Sequence, residues 1–424
     1  MVEPARAAAL DVLRRVATQG AYAGAALRGA LPAELGPADR GLATELVYGV
    51  LRRRGHLDRA IKRAAGRRLK DLPPRLHDVL RLGAYQLMYL DRVPAFAAVD
   101  GAVELAKGRG GARLAGAANR ILRRLADTPA EDRIPPPPPL DRDPVAHVAA
   151  AGSVGPEVAA VLVEALGPGD ALAFALASLQ PAPAVLRVNR LRAARDAVAG
   201  EVGGVPGDLP WSVRLPEGGR VLPGDLACVA EGRATPQDEA STRVVDLLDP
   251  RPGERILDVC AAPGGKATAA AEAMGDEGEV VAHDRLPQRL ARVEESAARL
   301  GLSCLRIAEL LPPTEPPFDR VLVDAPCSGL GTLRRHPEIR WRFRRADERE
   351  LARVQAKVLA AGAARVRPGG VLVYSVCTVT RSEGPGRVAD LPGFALEAEL
   401  STGPHQPGAP DGFYAARLRR LSAP

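Results

Sequence analysis

Apolar positions recur at two different periods along this chain, and the change from one to the other divides it. Over residues 3–127 they repeat three and four apart, as at Leu10, Leu13 and Val16 and again at Leu42, Leu46, Val50 and Leu57. That spacing predicts helix after helix. Pro32, Gly36-Pro37 and Pro73-Pro74 punctuate the helices, and Pro94 opens another. Strand signals are few, so residues 1–127 are expected to form one all-helical domain. A helical pattern returns over 145–180, followed by a strand candidate at Val185–Asn189 and a helix near Ala193–Val202. With the glycine- and proline-rich loops beyond, residues 145–240 read as a small α/β connecting subdomain.

From Arg255 the pattern alternates between short apolar runs and helical stretches. Strands are predicted at Ile256–Val259, Val280–Asp284, Phe318–Asp324 and Val371–Ser375, with a helix over 347–366 that stops at Pro368-Gly369-Gly370. Such alternation implies a doubly wound, mostly parallel sheet that binds ligands at the carboxyl ends of its strands. This Rossmann-like α/β domain is expected to occupy residues 241–424. Between the first two domains, residues 128–144 include five consecutive prolines at 135–139. A run of that kind packs as neither helix nor central strand and predicts an extended linker.

Composition changes this picture in one respect. The 58 basic residues include only five lysines, a bias that composition alone can produce, but the charge is unevenly placed. Residues 1–127 hold 23 Lys and Arg against 12 Asp and Glu, a net of +11; the rest holds 35 against 39, a net of −4. Positive charge gathered in one helical domain suits a polyanionic partner such as RNA. Five scattered cysteines with no close pair argue against a disulfide framework or a structural zinc site, and no metal is expected. No run of eighteen apolar residues appears and the first residues lack a signal-peptide pattern, so a cytoplasmic protein without membrane attachment is expected. A monomer is expected.

The candidate chemistry lies at the strand ends. Ile256-Leu257-Asp258-Val259 runs into the loop Cys260-Ala261-Ala262-Pro263-Gly264-Gly265-Lys266, where a helix begins. Glycines let the backbone turn sharply and approach a ligand, and the first amides of the helix face that ligand as donors. Asp284, 18 residues beyond Lys266, ends the next strand, where an acid accepts hydrogen bonds from ribose hydroxyls. The loop is not GxGxxG, which favours a nucleoside cofactor without a pyrophosphate, and S-adenosylmethionine fits. Asp324-Ala325-Pro326-Cys327-Ser328-Gly329 and Tyr374-Ser375-Val376-Cys377-Thr378 each place a cysteine just past a strand. Adjacent strand ends converge on one crevice, so both thiols are expected over one substrate. Cys228 and Cys304 lack such a setting, whereas Cys260 lies in the cofactor loop. Arg334-Arg335-His336-Pro337-Glu338-Ile339-Arg340-Trp341-Arg342 interleaves arginine with an aromatic ring, a pattern that holds phosphates and stacks bases. Arg334, Arg335, Arg340, Trp341 and Arg342 are the predicted RNA contacts.

These blocks resemble known proteins. The segments Ala38–Val50, Leu80–Leu87 and Ala117–Arg124 resemble the NusB-like fold, a helical module that contacts RNA or protein partners. Asp258–Lys266, Asp324–Gly329 and Tyr374–Thr378 are similar to the motifs of the Nol/Nop/Sun RNA cytosine-5 methyltransferases. With the NusB-like region and the tail Asp411–Ala415, the likeness is to the bacterial branch acting on small-subunit ribosomal RNA. The resemblance implies S-adenosylmethionine as cofactor and methylation of cytosine carbon 5. It makes Cys377 the nucleophile toward carbon 6, has Cys327 assist product release, and has Asp324 hydrogen-bond the cytosine edge beside the cofactor. A free thiol is only a few per cent thiolate at neutral pH, so a cation is expected near Cys377, either Lys266 or the cofactor's sulfonium. The reversed assignment, with Cys327 as nucleophile, is the rival.

The chain departs from the family pattern at three points. Glu309 stands where an Asp contacts the cofactor's adenine end; Glu383-Gly384 replaces a Glu-Asn pair; and Val376 replaces a threonine. The last two are not expected to touch the chemistry but can alter loop geometry. Alternative functions are a non-catalytic RNA-binding factor for ribosome assembly or antitermination, and a cytosine-5 methyltransferase acting on tRNA. An amino-methylating enzyme is disfavoured because Cys327 stands where an aromatic would stack the base, and an NAD enzyme is disfavoured by the loop.

Overall fold

A computed structural model of the 424-residue chain describes residues 3–32, 35–217, 222–389 and 391–422. It divides into two compact units, residues 1–180 with 333–343, and residues 181–332 with 344–424. The division differs from the expected one at two places: the helices over 145–180 belong to the first unit, and an eleven-residue segment of the second domain's sequence is built into the first.

The first unit is helical throughout: α1 Pro4–Gln19, α2 Ala23–Ala30, α3 Pro37–Ala65, α4 Pro74–Tyr89, α5 Ala95–Ala126, α6 Pro144–Ala151, α7 Pro156–Leu166 and α8 Pro168–Ala177. Prolines open six of the eight at their first turn, where a missing amide costs nothing. The predicted periodic positions Leu10, Leu13, Val16, Leu46, Val50 and Leu57 are buried in one core with Leu76, Leu80 and Leu122. Packing there is close enough to require glycine: a Cβ at Gly49 would lie 2.0 Å from the Tyr85 ring. α5 is two helical segments meeting at Gly110 and Gly111. The proline run is not a free spacer, because Arg59 of α3 donates to the carbonyls of Pro135 and Pro136, and His147 pairs with that of Pro138. A residue without an amide still offers its carbonyl, and here arginine uses it.

The second unit holds two sheets. The smaller consists of β1 Val185–Val188, β2 Val205–Pro206, β3 Ser212–Arg214 and β4 Ala234–Pro236, all antiparallel, in the order β2-β3-β1-β4. The larger comprises β5 Arg255–Asp258, β6 Glu279–His283, β7 Leu305–Ala308, β8 Phe318–Asp324, β9 Val366–Val376, β10 Phe394–Thr402 and β11 Phe413–Arg420. Its order is β10-β11-β9-β8-β5-β6-β7. The strands from β5 to β9 pair in parallel, and β11 and β10 add antiparallel pairs at one edge. Both faces are covered, so successive residues serve different cores: Ile256, Val280, Leu322 and Val373 point to one, and Leu257, Val281, Val323 and Leu372 to the other. That explains the continuous apolar runs of a buried parallel sheet. The helix Arg345–Ala363 ends three residues before the predicted 366, and Pro368-Gly369-Gly370 forms an irregularity inside β9 rather than the break before it. Chain order reverses between β5 and β8, which opens a crevice between the loops that follow them.

Candidate active site

The two signature cysteines meet because of strand register. Asp324 of β8 pairs with Ser375 of β9, and the Ala325 amide extends that ladder to the Ser375 carbonyl at 2.9 Å. Cys327 lies three residues past Asp324 and Cys377 two past Ser375, and their sulfurs are 3.3 Å apart. Asp324 sits beside them with both oxygens engaged: Lys266 Nζ approaches Oδ2 at 2.7 Å and the Ser375 hydroxyl donates to Oδ1 at 2.7 Å. Lys266 comes from the first turn of the helix Gly265–Ala273 and also lies over the Phe413 ring, 5.0 Å from its centre. Burial works against its charge, but the attraction of Asp324, then of Cys377 and Asp258, prevails and holds the ammonium above its usual range. Lys266, one of the two cations expected near Cys377, is thus close enough for that sulfur to act on its charge.

The two thiols are not equivalent. Cys327 is pushed well above the ordinary thiol range by its contact with Cys377, by burial and by the negative charge of Glu383. Glu383, a position from which the sequence allows an effect on loop geometry, is completely buried against the Cys327 loop. It accepts the Ser328 amide at 2.8 Å, the Ser328 hydroxyl at 2.6 Å, the Gln355 amide at 3.0 Å and the Thr380 hydroxyl at 3.0 Å. The Tyr374 hydroxyl donates to its carbonyl at 2.7 Å. The signal in the sequence is a lone acid six residues past Cys377, whose partners on distant segments no spacing reveals.

On the other side of the crevice the loop 260–265 is held from both flanks. The Cys260 amide donates to Asp258 at 3.2 Å, the Ala261 amide to the His283 carbonyl at 2.8 Å, and the Gly264 amide to the Ala261 carbonyl at 2.7 Å, with a cis peptide between Ala262 and Pro263. Gly264 has φ +109°, and a Cβ there would lie 3.1 Å from the Val293 backbone, so the turn admits only glycine comfortably. Arg187 of β1 anchors the helix that follows: it forms a buried pair with Glu272 at 2.8 Å and donates to the Gly265 carbonyl at 2.7 Å and the Thr268 hydroxyl at 3.1 Å. The small sheet thus sets the position of the loop, a role the sequence did not disclose.

Asp284 is buried past the end of β6, where it accepts the Leu286 amide at 3.0 Å and pairs with Arg289 at 3.2 Å; Arg289 also donates to the Ala262 carbonyl at 2.9 Å. Glu309 follows β7 and is exposed. Asp258, the first residue of the motif Asp258–Lys266, is 1% exposed, and its Oδ2 is buried without a hydrogen-bond partner. Burial, with the charge of Asp324, pushes its carboxyl up to about 7. Burial and the charges of Asp258, Asp324 and Asp284 also hold the Cys260 thiol far above its usual range, which makes it inert as a nucleophile. Asp324 and Asp258 act on Lys266, Asp284 pairs with Arg289, and Asp258 keeps one buried oxygen without a hydrogen-bond partner; acceptors of this kind suit ribose hydroxyls and a cationic group.

Of the predicted RNA contacts the structure buries Arg334 and Arg340 and leaves Arg335, Trp341 and Arg342 half-buried. Residues 333–343 belong to the helical unit. Arg340 is 0% exposed and donates to the carbonyls of Gly152 and Ser178, just past the ends of α6 and α8. Arg342 donates to the Gly20 and Ala21 carbonyls past α1, and the Trp341 indole to the Leu51 carbonyl at 2.6 Å. Helix ends leave carbonyls without partners and carry partial negative charge, and guanidinium groups satisfy both. For Arg340 this role is internal packing.

Among the described residues no single helix is long and apolar enough to cross a membrane. Residues 245–401 match the family model described as 16S rRNA methyltransferase RsmB/F, and residues 3–127 match that of the NusB family. The probable ribosomal RNA small subunit methyltransferase B of Synechocystis is 37% identical over 400 residues, covering 91% of this chain and 88% of that one. Its namesake in Bacillus subtilis is 32% identical over 446 residues, covering 97% and 98%. Among solved structures, PH0851 superposes with a TM-score of 0.78 over 99% of both chains at 23% identity. NSun6 from Pyrococcus horikoshii, solved with SFG, superposes with a TM-score of 0.58 at 22% identity, covering 63% of this chain and 98% of that one. At those identities the likeness is one of fold. The sequence matches go further: the chain belongs to the RsmB/F family of 16S rRNA methyltransferases, with a NusB-family domain over residues 3–127.

Proposed function

We propose that this protein methylates carbon 5 of a cytosine in small-subunit ribosomal RNA, using S-adenosylmethionine and a covalent adduct between Cys377 and carbon 6. The observation that carries the reading is the 3.3 Å approach of Cys327 and Cys377 beside the Lys266–Asp324 pair. Carbon 5 of cytosine is too electron-poor to be methylated directly. Addition of the Cys377 thiolate to carbon 6 forms a C–S bond and moves the ring's double-bond electrons toward carbon 5, which becomes nucleophilic. Asp324 hydrogen-bonds the base edge and favours protonation of ring nitrogen 3 as the thiolate adds. Lys266 stabilises negative charge at Cys377 and orients Asp324.

Once carbon 5 carries the methyl group, a base takes the carbon-5 proton, the C–H electrons restore the C5–C6 double bond, and the C–S bond breaks to return Cys377 as thiolate; Cys327, in contact with that sulfur, assists this release. When bound, S-adenosylmethionine supplies an electrophilic methyl group. The loop 260–266 would hold it together with Asp284, Asp324 and Glu309, and the acceptor-rich surroundings suit its positive charge. The excess of Lys and Arg in residues 1–127 supports capture of RNA by the helical unit.

The test is nucleoside mass spectrometry of unmethylated small-subunit RNA, free and in partly assembled subunits, after incubation with the protein and isotopically labelled S-adenosylmethionine. Labelled 5-methylcytidine is the expected product. Label in a different nucleoside would overturn the two-cysteine chemistry, and no label on either substrate would leave an RNA-binding factor.

A further inference from the structure

Two like thiols in contact pose a question that strand register does not answer: what makes one the nucleophile and the other its assistant. Lys266 lies on the side of Cys377, and its ammonium feels that sulfur's charge. The counterpart on the side of Cys327 is Glu383. Each of its carboxylate oxygens takes two donors: the Ser328 and Gln355 N–H groups on Oε1, the Ser328 and Thr380 hydroxyls on Oε2. Four partners able to donate are what a carboxylate, which can only accept, takes up. Ser328 is the residue after Cys327, and its hydroxyl also meets that of Thr378, the residue after Cys377, at 2.8 Å. Gln355 donates in addition to the Pro326 carbonyl at 3.0 Å, so the loop is gripped on both sides of the cysteine. One buried acid therefore ties together the residues flanking both thiols.

We infer that Glu383 is the positioning residue that divides the labour between the cysteines: it fixes the Cys327 loop against Cys377 and places a negative charge beside Cys327, which leaves Cys377 as the thiol able to become the nucleophile. This rests on the two-cysteine reading above. The charge bears on Cys327 together with that of Cys377, and both raise its thiol. Tyr374, packed beneath, is itself held neutral by burial and by the charges of Cys327 and Glu383. Asp324, on the same strand end, is engaged by Lys266 and Ser375. Among the cations here is Arg387, whose charge acts on Tyr374 in the sense opposite to that of Glu383, while the donors on Glu383 itself are neutral groups.

Two variants separate charge from geometry. Glu383→Gln keeps the shape and the hydrogen bonds, because its oxygen accepts the two N–H groups while its amide donates to the two hydroxyls, and it removes the charge. Glu383→Ala removes both. The readout is the pH dependence of iodoacetamide alkylation at each cysteine, resolved by peptide mass spectrometry on the full chain without RNA or cofactor. In the wild type Cys377 should react first. In Glu383→Gln the Cys327 profile should move to lower pH by about one unit, a rise of about tenfold in its rate at pH 8, with the Cys377 rate changed by less than about twofold. Thermal melts establish that the glutamine variant is folded. A Cys327 profile that matches the wild type would overturn the inference. Glu383→Ala should also build up a covalent protein–RNA adduct as Cys327 loses its place, and free turnover would count against the positioning role. Because alkylation needs neither RNA nor cofactor, it judges Glu383 even if labelled 5-methylcytidine fails to appear.

Discussion

Cys327 and Cys377 are 50 positions apart in sequence and 3.3 Å apart at their sulfurs. The distance follows from a parallel pair in which Asp324 stands opposite Ser375, so that two turns leaving adjacent strands deliver both side chains to one point. The carboxylate and ammonium beside them give the pair a polarity that neither cysteine motif carries alone.

Cys377→Ala should lower methyl transfer by on the order of a thousandfold or more, since a covalent step loses its nucleophile. The side chain is not part of the 260–266 loop, so cofactor affinity measured by calorimetry should change by less than about threefold. Retained turnover would hand the nucleophile's role to Cys327.

Cys327→Ala should bind RNA, form the bond to carbon 6 and stall. Denaturing electrophoresis with labelled RNA should then show a protein-sized shift that the wild type shows only weakly. A variant that turns over freely without that band would remove Cys327 from product release.

Arg340→Ala should destabilise the helical unit by on the order of 3 kcal/mol, because the carbonyls of Gly152 and Ser178 lose a charged donor inside the protein. The measurement is the shift in the denaturant midpoint of the transition reported by that unit. An unchanged midpoint with weakened RNA binding would return Arg340 to the surface role its sequence context suggested.

The Asp258 carboxyl, raised to about 7 by burial and by Asp324, binds its proton more tightly in the folded protein than in the unfolded chain. Its contribution to stability is therefore fully present below about pH 4 and is lost as pH rises through about 7. Asp258→Asn keeps the shape without the ionisation, so in the cofactor-free protein its melting temperature should decline less than that of the wild type between pH 5 and pH 8. Equal slopes in a pH series of thermal melts would show that another group carries the dependence.

Much of this protein was already determined by its sequence. The shift from helical spacing to alternating strand and helix locates an all-helical region and a parallel sheet, because side-chain period is a local property of the backbone. The Pro-Gly-Gly turn, the acid past β6 and the two strand-end cysteines mark the site because each lies within a few residues of a strand end. What only the tertiary structure decided are relations between distant segments. Arg340 and Trp341 have the composition of an RNA contact, yet they donate to carbonyls contributed by residues far away in sequence, Arg340 at two helix ends and Trp341 within α3. Arg187 supports the cofactor loop from a separate sheet, and Glu383 gathers donors from two distant segments besides its own turn. Whether a charged residue meets solvent, a ligand or a buried partner depends on which chain segments fold against it, and no local pattern of residues carries that information.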